Sequence, residues 1–273
     1  MNISEDRKTL RNLLARANEL VYQVLYALRK LIFRITHRKL ILKSIDEIYE
    51  YTGETRSEVR KRFFDLATTK KAWEAANPRT DEEISRFYSE TNAYIYADQR
   101  WNAVDPSKFN SRFKLLDFCR KNKVRTVLDY GAGVGEYCVF LAEQGFDVTY
   151  LEFYGKTWQF ADWRFKQRGL KVKMLPVGED FPAAYDLIVC AAVLEQVKEP
   201  VLVAQKLFDA LNPNGYLCAT FNFKYAGCLG LPENRKYANN FLAILDEMGL
   251  QLLFKDYFSF FQKRSHGNSE TVK

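Results

Sequence analysis

The stretch "LDYGAGVGE", residues 128–136, places three glycines within five positions. Glycines spaced this closely let the backbone turn tightly and let another group approach it. Taken alone, the stretch fits a dinucleotide site, a phosphate site, a site for a sulfonium nucleoside, or a tight turn without a ligand. The rest of the sequence is needed to choose among these explanations.

From about residue 110 onward, short apolar runs alternate with amphipathic segments. This alternation predicts an α/β fold with a parallel sheet that is covered by helices on both faces. The last apolar run, LQLLFKDYFSFFQKR at 250–264, predicts a closing antiparallel hairpin. The runs predicted as the preceding strands are VRTVLDYG (124–131), FDVTYLEF (146–153), KVKMLPV (171–177), AYDLIVCAAV (184–193) and GYLCATFNF (215–223).

The first 43 residues contain ten Lys or Arg against three acidic residues, an excess equal to the net charge of +7 of the whole chain. Apolar residues recur at helical spacing from Leu10 to Ile35, which predicts a basic amphipathic helix. Three partners for its apolar face stay open: the body of the protein, a second subunit, or an anionic membrane surface.

Residues 44–107 predict a helical cap before the sheet domain. Ser44, with Glu47 three residues later, is expected to cap the first of two short helices between residues 44 and 75. Thr55 or Ser57 is expected to begin the second, and Thr80 to cap a further helix.

Aromatic residues are dense at the end of this cap, directly before the glycine stretch. Tyr94, Tyr96 and Trp101 are therefore the candidates for facing a bound ligand or acceptor, the alternative being that they join cap and core. The predicted divisions are a basic helix at 1–43, a cap at 44–107, a ligand-binding domain at 108–265 and a disordered tail at 266–273.

Composition excludes several other classes of protein. The polar N-terminus lacks the layout of a signal peptide, and no apolar run is long enough to cross a bilayer, so a cytoplasmic location is expected. The five cysteines form no CxxC pair and are expected to be buried thiols. The two histidines, His37 and His266, lie in the end segments, so neither a zinc site nor a histidine-centred triad is expected in the body.

The residues around the glycines narrow the choice of ligand. A P-loop is excluded because no Gly-Lys-Ser/Thr follows. Glu152 ends the second strand, at the distance where an acidic residue reaches ribose hydroxyls, and Phe153 beside it can lie against a purine. The third glycine comes one residue early for a dinucleotide fingerprint. Asp129 before the loop suits a cationic ligand better than a pyrophosphate.

The segments VLDYGAGVGEYCVFLAEQGFDVTYLE, YDLIVCAAVLEQV and ALNPNGYLCATF together resemble class I S-adenosylmethionine-dependent methyltransferases. The resemblance covers roughly residues 108–263 and implies a Rossmann-like seven-stranded sheet with its last strand antiparallel. It also implies S-adenosylmethionine as cofactor, with Gly131, Gly133 and Gly135 along its methionine end, Asp129 at its amino group and Glu152 at its ribose. The expected cofactor-binding set is completed by Ala132, Phe153, Ala191 and, at the adenine, Glu179 or Asp180.

The sequence departs from the family after the fourth strand, where Glu195-Gln196-Val197 replaces the usual Glu-His-Val. It also lacks the Asn/Asp-Pro-Pro-aromatic motif of nucleic-acid amino methylases, so a nucleic-acid acceptor is not expected. A small organic acceptor is predicted, including a natural-product or lipid-linked one, with no metal. Two alternatives stay open: an enzyme that cyclises or cleaves the cofactor, and a non-catalytic binding protein that docks to a membrane.

Overall fold

The computed structural model describes residues 3–179, 181, 184–224 and 230–264, with side chains described from Glu19 onward. The predicted tail at 266–273 lies outside the described residues. Within the described part of the chain, no helix combines the length and apolarity that a bilayer crossing requires.

Seven helices precede the first strand, and helices then alternate with strands. The helices are α1 (Ile3–Thr36), α2 (Arg38–Thr52), α3 (Arg56–Phe64), α4 (Thr68–Ala76), α5 (Asp81–Glu90), α6 (Ala93–Val104), α7 (Pro106–Lys121), α8 (Glu136–Ala142), α9 (Lys156–Gln167), α10 (Pro200–Ala210) and α11 (Phe241–Glu247). The strands are β1 (Thr126–Tyr130), β2 (Asp147–Glu152), β3 (Val172–Pro176), β4 (Tyr185–Ala191), β5 (Leu211–Thr220), β6 (Leu250–Lys255) and β7 (Ser259–Lys263).

The strands form a seven-stranded sheet in the order β3-β2-β1-β4-β5-β7-β6. Strands β1 to β5 pair in parallel, whereas β7 runs antiparallel to both β5 and β6. This arrangement confirms the predicted Rossmann-like sheet and its closing antiparallel hairpin. The chain order reverses at β1, between β2 and β4, and such a switch point is where open α/β sheets bind ligands.

Successive residues of the central strands contribute to two different hydrophobic cores. In β1, Val127 packs in the core that contains α7 and α8, whereas Leu128 packs in the core that contains α10 and α11. Side chains alternate across a strand, so a strand buried on both faces is apolar at most positions. The continuous apolar run of β4 from Leu187 to Ala191 follows from this, whereas β1 has the buried carboxylate of Asp129 near its carboxyl end.

The cap has a third core, which rests directly on the glycine loop. Side chains from α2, α3 and α6 pack in it together with Val134 of the loop and Phe160 of α9. One helix-start prediction was wrong here: Ser44 is buried within α2, which begins at Arg38. The apolar spacing of Ile41, Ile45 and Ile48 keeps one face of this helix buried through that position.

Two other predicted helix starts, at Thr55 and Thr80, are confirmed. Thr55 forms a capping box with Glu58, and Thr80 forms one with Glu83. The segment 44–75 was predicted to hold two helices, whereas the structure has a third one, α4, which ends at a left-handed Asn77.

A buried network of ion pairs ties the cap to the sheet domain. Arg164 of α9 donates to Glu47 of α2 at 3.0 Å and to Glu136 of α8 at 2.8 Å. Its remaining nitrogen donates to the carbonyl of Val134 at 2.6 Å. Arg168 also pairs with Glu47, and Arg112 with Glu136. The glycine loop is thereby held between the cap and α9.

Candidate active site

A cavity of about 380 Å³ opens at the carboxyl ends of β1, β2 and β4 and is covered by α5 and α6 of the cap. Its floor is the glycine loop, and its walls combine carboxylates with tyrosine and tryptophan rings. Its volume falls within the range of small-molecule sites. The position agrees with the switch point of the sheet order.

Two glycines of the loop make room that a side chain would fill. Gly131 and Gly133 both line the cavity and have positive φ angles of 70° and 54°. A Cβ on Gly133 would lie 2.6 Å from Oδ2 of Asp98, and one on Gly131 would meet the side chain of Val193. Ala132 between them also lines the cavity. The loop therefore offers bare backbone to a ligand.

Gly135 has a different role from the one predicted. It does not line the cavity, and a Cβ there would lie 2.7 Å from the ring of Phe165. Its bare backbone lets α8 begin against α9, which is close packing between elements rather than contact with a ligand.

Glu152 lies at the end of β2 with its carboxylate fixed against the loop. One oxygen accepts the N–H of Gly133 at 2.8 Å, and the other accepts the N–H of Phe153 at 2.8 Å. Burial raises the pKa of Glu152, and these two bonds partly oppose the increase. Both Glu152 and Phe153 line the cavity. A carboxylate held this way can still accept hydrogen bonds from vicinal hydroxyls.

Two further carboxylates and one ammonium group surround the loop. Asp129 is buried and accepts a bond from the thiol of Cys138 at 3.4 Å. Burial raises the pKa of Asp98 to about 7, and it raises that of Asp129 as well. Lys108 is buried between the rings of Trp101 and Tyr137, and burial lowers its pKa while the nearby carboxylates oppose this. The cavity can therefore hold a ligand with both an amino and a carboxylate group.

An aromatic wall faces the loop from the cap. The ring of Tyr88 stacks on Phe153 with centroids 5.3 Å apart, and its hydroxyl donates to Gln196 at 3.0 Å. Tyr94 and Trp101, both predicted from sequence, line the cavity. Burial raises the pKa of Tyr88 and Tyr94, so both hydroxyls stay protonated.

Tyr96 does not line the cavity, which corrects the prediction made for it. It is fully buried in the core of the cap, where its hydroxyl donates to Glu54 at 2.7 Å and accepts from Arg62 at 2.8 Å. Two residues along a helix turn a side chain by about 200°, so Tyr94 and Tyr96 lie on nearly opposite faces of α6.

The structure does not bring Glu179, one of the two residues predicted at the adenine, to the cavity. Asp180 lies outside the described residues. Glu179 is exposed and outside the cavity wall, because the chain turns after Pro176 and brings Val177 to the wall instead. Ala191, at the end of β4, lines the cavity as predicted.

The residues present fit a cationic nucleoside with an amino-acid tail. The glycine loop leaves the space, and the carboxylates supply the matching charge. Among the described residues, three buried polar atoms of cavity-lining side chains lack a hydrogen-bond partner: Oη of Tyr94, Oδ1 of Asn102 and Oγ1 of Thr157. Buried polar atoms are normally satisfied, so all three suit contacts to a ligand.

Comparison with known proteins agrees with this geometry. The family model described as "Methyltransferase domain" matches residues 106–265, more than half of the chain. The chain belongs to the class I S-adenosylmethionine-dependent methyltransferases. This match confirms the family and the cofactor that the resemblance implies. The seven-stranded sheet confirms the fold.

The curated relatives of this chain are partial matches. The ubiquinone biosynthesis O-methyltransferase of Photorhabdus laumondii is 30% identical over 98 residues, which are 34% of this chain and 41% of the relative. The enzyme of the same name from Rickettsia conorii is 32% identical over 110 residues, 38% of each chain. The chain thus spans about two fifths of the length of the curated relatives it matches.

A solved structure supports the fold alone. An S-adenosylmethionine-dependent methyltransferase from Clostridium acetobutylicum superposes with a TM-score of 0.51 and 11% identity. The superposition covers 64% of this chain and all of the Clostridium acetobutylicum chain.

The cavity residues that were not predicted from the sequence include Tyr88, Asp98, Lys108 and Gln196. Asp98 follows Tyr94 by four positions and therefore lies on the same face of α6. That spacing was a usable signal for Asp98. The others enter the cavity from separate elements that no local motif connects.

Proposed function

We propose that this chain is an enzyme that transfers the methyl group of S-adenosylmethionine to the hydroxyl oxygen of a small organic molecule. The observation that carries the proposal is the meeting of Glu152, the bare loop at Gly131 and Gly133, and an aromatic wall in one cavity. The names of the relatives favour oxygen as the acceptor atom.

The binding roles follow from charge. Glu152 would hold the ribose hydroxyls, since its carboxylate is already fixed at the rim of the loop by two backbone N–H groups. Asp129 would hold the amino group of the methionine end, and the ammonium of Lys108 would pair with its carboxylate. Phe153 and Tyr88, already stacked, would offer their rings to the adenine.

When bound, S-adenosylmethionine supplies a methyl group that is electrophilic because it is attached to a sulfonium. The chain's own contribution is to position the acceptor oxygen in line with that group and to exclude water. Tyr94 and Trp101 form the wall on which the acceptor would lie.

A hydroxyl acceptor must lose its proton, and Asp98 is the candidate base. It lines the cavity above Gly133, and burial raises its pKa to about 7. A base works best when its pKa lies near the working pH. The tyrosines of the wall have raised pKa values and therefore serve as hydrogen-bond donors instead.

The proposal is tested with S-adenosylmethionine labelled in its methyl group and a panel of phenols, aliphatic alcohols, amines and carboxylic acids. We expect label in a hydroxyl compound, together with one equivalent of the demethylated thioether. Transfer to amines only would contradict the acceptor atom. Loss of the cofactor without any acceptor, detected by product mass, would instead indicate cleavage or cyclisation.

A further inference from the structure

Helix α1 is attached to the body of the protein along one narrow stripe. Tyr26 donates to Asp105 at 2.8 Å, and Lys30 pairs with the same carboxylate at 3.1 Å. Phe33 is buried, and the ring of His37 stacks on it with centroids 3.9 Å apart. Their spacing of four, three and four residues places all four side chains on one face.

The opposite face of α1 is apolar and open. Its side chains range from Leu28, 49% exposed, to Ile35, 68% exposed. Such a continuous apolar face on a protein surface marks a site of interaction. The exposed apolar residues of this face are Leu20, Val21, Val24, Leu25, Leu28, Leu31, Ile32 and Ile35.

Basic side chains border this face on both sides. At 3.6 residues per turn, Arg29 and Arg34 each lie roughly 110° from the centre of the apolar stripe, one on either edge. Both are exposed. From Glu19 to Lys43 the sequence holds six Lys or Arg against one acidic residue. The face is thus an apolar stripe between positive edges.

We propose that this face of α1 docks on an anionic lipid surface. Apolar side chains at the centre would enter the acyl boundary, while the long stems of Arg29 and Arg34 would let their charges reach lipid phosphates. A second copy of the chain fits less well, because an isologous contact would bring these positive edges against each other. The inference does not depend on the proposed function.

The docked helix has a direct connection to the cavity. Asp105, which holds Tyr26 and Lys30, also caps α7 by accepting the N–H groups of Ser107 at 2.9 Å and Lys108 at 3.1 Å. Asp105 follows α6 directly and precedes α7, so α1 would lie between the lipid surface and the two helices that bring Trp101 and Lys108 to the cavity.

The test is co-sedimentation of the full chain with vesicles of phosphatidylglycerol mixed with phosphatidylcholine, compared with vesicles of phosphatidylcholine alone. We expect binding to the anionic vesicles that weakens as salt is added. The double variant Leu28→Ser with Ile32→Ser should lower the affinity about tenfold or more. The matched control, Leu202→Ser with Leu242→Ser, removes exposed apolar side chains elsewhere and should bind like the wild type.

A second double variant distinguishes the contribution of charge to vesicle binding from that of apolar contact. Arg29→Glu with Arg34→Glu should abolish the preference for phosphatidylglycerol, and circular dichroism should show all variants folded, since the altered side chains are exposed. Equal binding of wild type and both α1 variants would overturn the proposal, as would no binding to either vesicle. The proposal would also be overturned if the wild type formed a dimer in sedimentation velocity, did not bind vesicles, and became monomeric in the Leu28/Ile32 variant.

Discussion

At the residue scale, two glycines with similar backbone conformations distinguish the effect of a strained backbone from the effect of a side chain that intrudes on the cavity. Gly133 and Gly169 have positive φ angles of 54° and 61°, but only Gly133 has a neighbour where a Cβ would go. Gly169→Ala should therefore cost about 1 kcal/mol of stability and leave cofactor affinity unchanged. Gly133→Ala should displace Asp98 and weaken S-adenosylmethionine binding about tenfold. Calorimetric titration of both variants checks this, and equal affinities would show that the loop backbone does not contact the cofactor.

Asp98 makes a prediction about pH. Because burial raises the pKa of its carboxyl to about 7, kcat/KM should rise with pH and level off above about 7. Asp98→Asn should remove this inflection and lower kcat about 10²-fold or more. An unchanged activity profile in the variant would assign the proton transfer to another group.

The same shift in the pKa of Asp98 affects folding. The raised pKa stabilises the protein below about pH 4, and this contribution is lost as the pH rises through about 7.

Two differences between the predicted site and the cavity have local explanations. Tyr94 and Tyr96 belong to one aromatic segment, but helical periodicity puts them on opposite faces of α6. Gly135 belongs to the same motif as Gly131 and Gly133, and the motif gives no sign that Phe165, thirty residues later, packs against it.

At the element scale, the cap is joined to the sheet domain through Arg164. This guanidinium is buried and pairs with Glu47 and Glu136. Despite burial, which raises it, the pKa of Glu136 is held at about 2 by Arg164 and Arg112. This stability is present above the unfolded pKa near 4.5 and is lost as the pH falls towards 2.

Removing the central cation should therefore be costly. Arg164→Met leaves two buried carboxylates without their shared partner and should lower the free energy of unfolding by about 3–5 kcal/mol. Lys166 of the same helix forms an exposed pair with Asp162, so Lys166→Met is the matched control and should change stability little. Urea unfolding measures both. Similar stabilities for the two variants would mean that the buried network does not hold the cap.

At the scale of the whole molecule, the sheet could be predicted because the sequence signal for each strand lies within that strand and its flanking turns. Each strand is a short apolar run between turns, and the order of the strands follows from the family resemblance of the segment 128–152 and its successors. The loop and Glu152 were predictable for the same reason, since they lie within 25 residues of one another in sequence.

The other half of the cavity could not be predicted in this way. Tyr88, Lys108 and Gln196 reach it from α5, α7 and the turn after β4, and only the packing of the cap on the loop brings them together. The long helix α1 is a further case: its amphipathic pattern was clear, but which face the body covers depends on Asp105 and Phe109.

The central claim is that Glu152 binds the ribose of the cofactor while the glycine loop lies along its methionine end. Calorimetric titration of S-adenosylmethionine and its demethylated thioether into Glu152→Ala tests it, with Glu179→Ala, outside the cavity wall, as the control. Loss of hydrogen bonds between a carboxylate and two hydroxyls should weaken binding of both compounds about 100-fold in Glu152→Ala. Glu179→Ala should bind like the wild type. Wild-type affinity in Glu152→Ala would contradict the account.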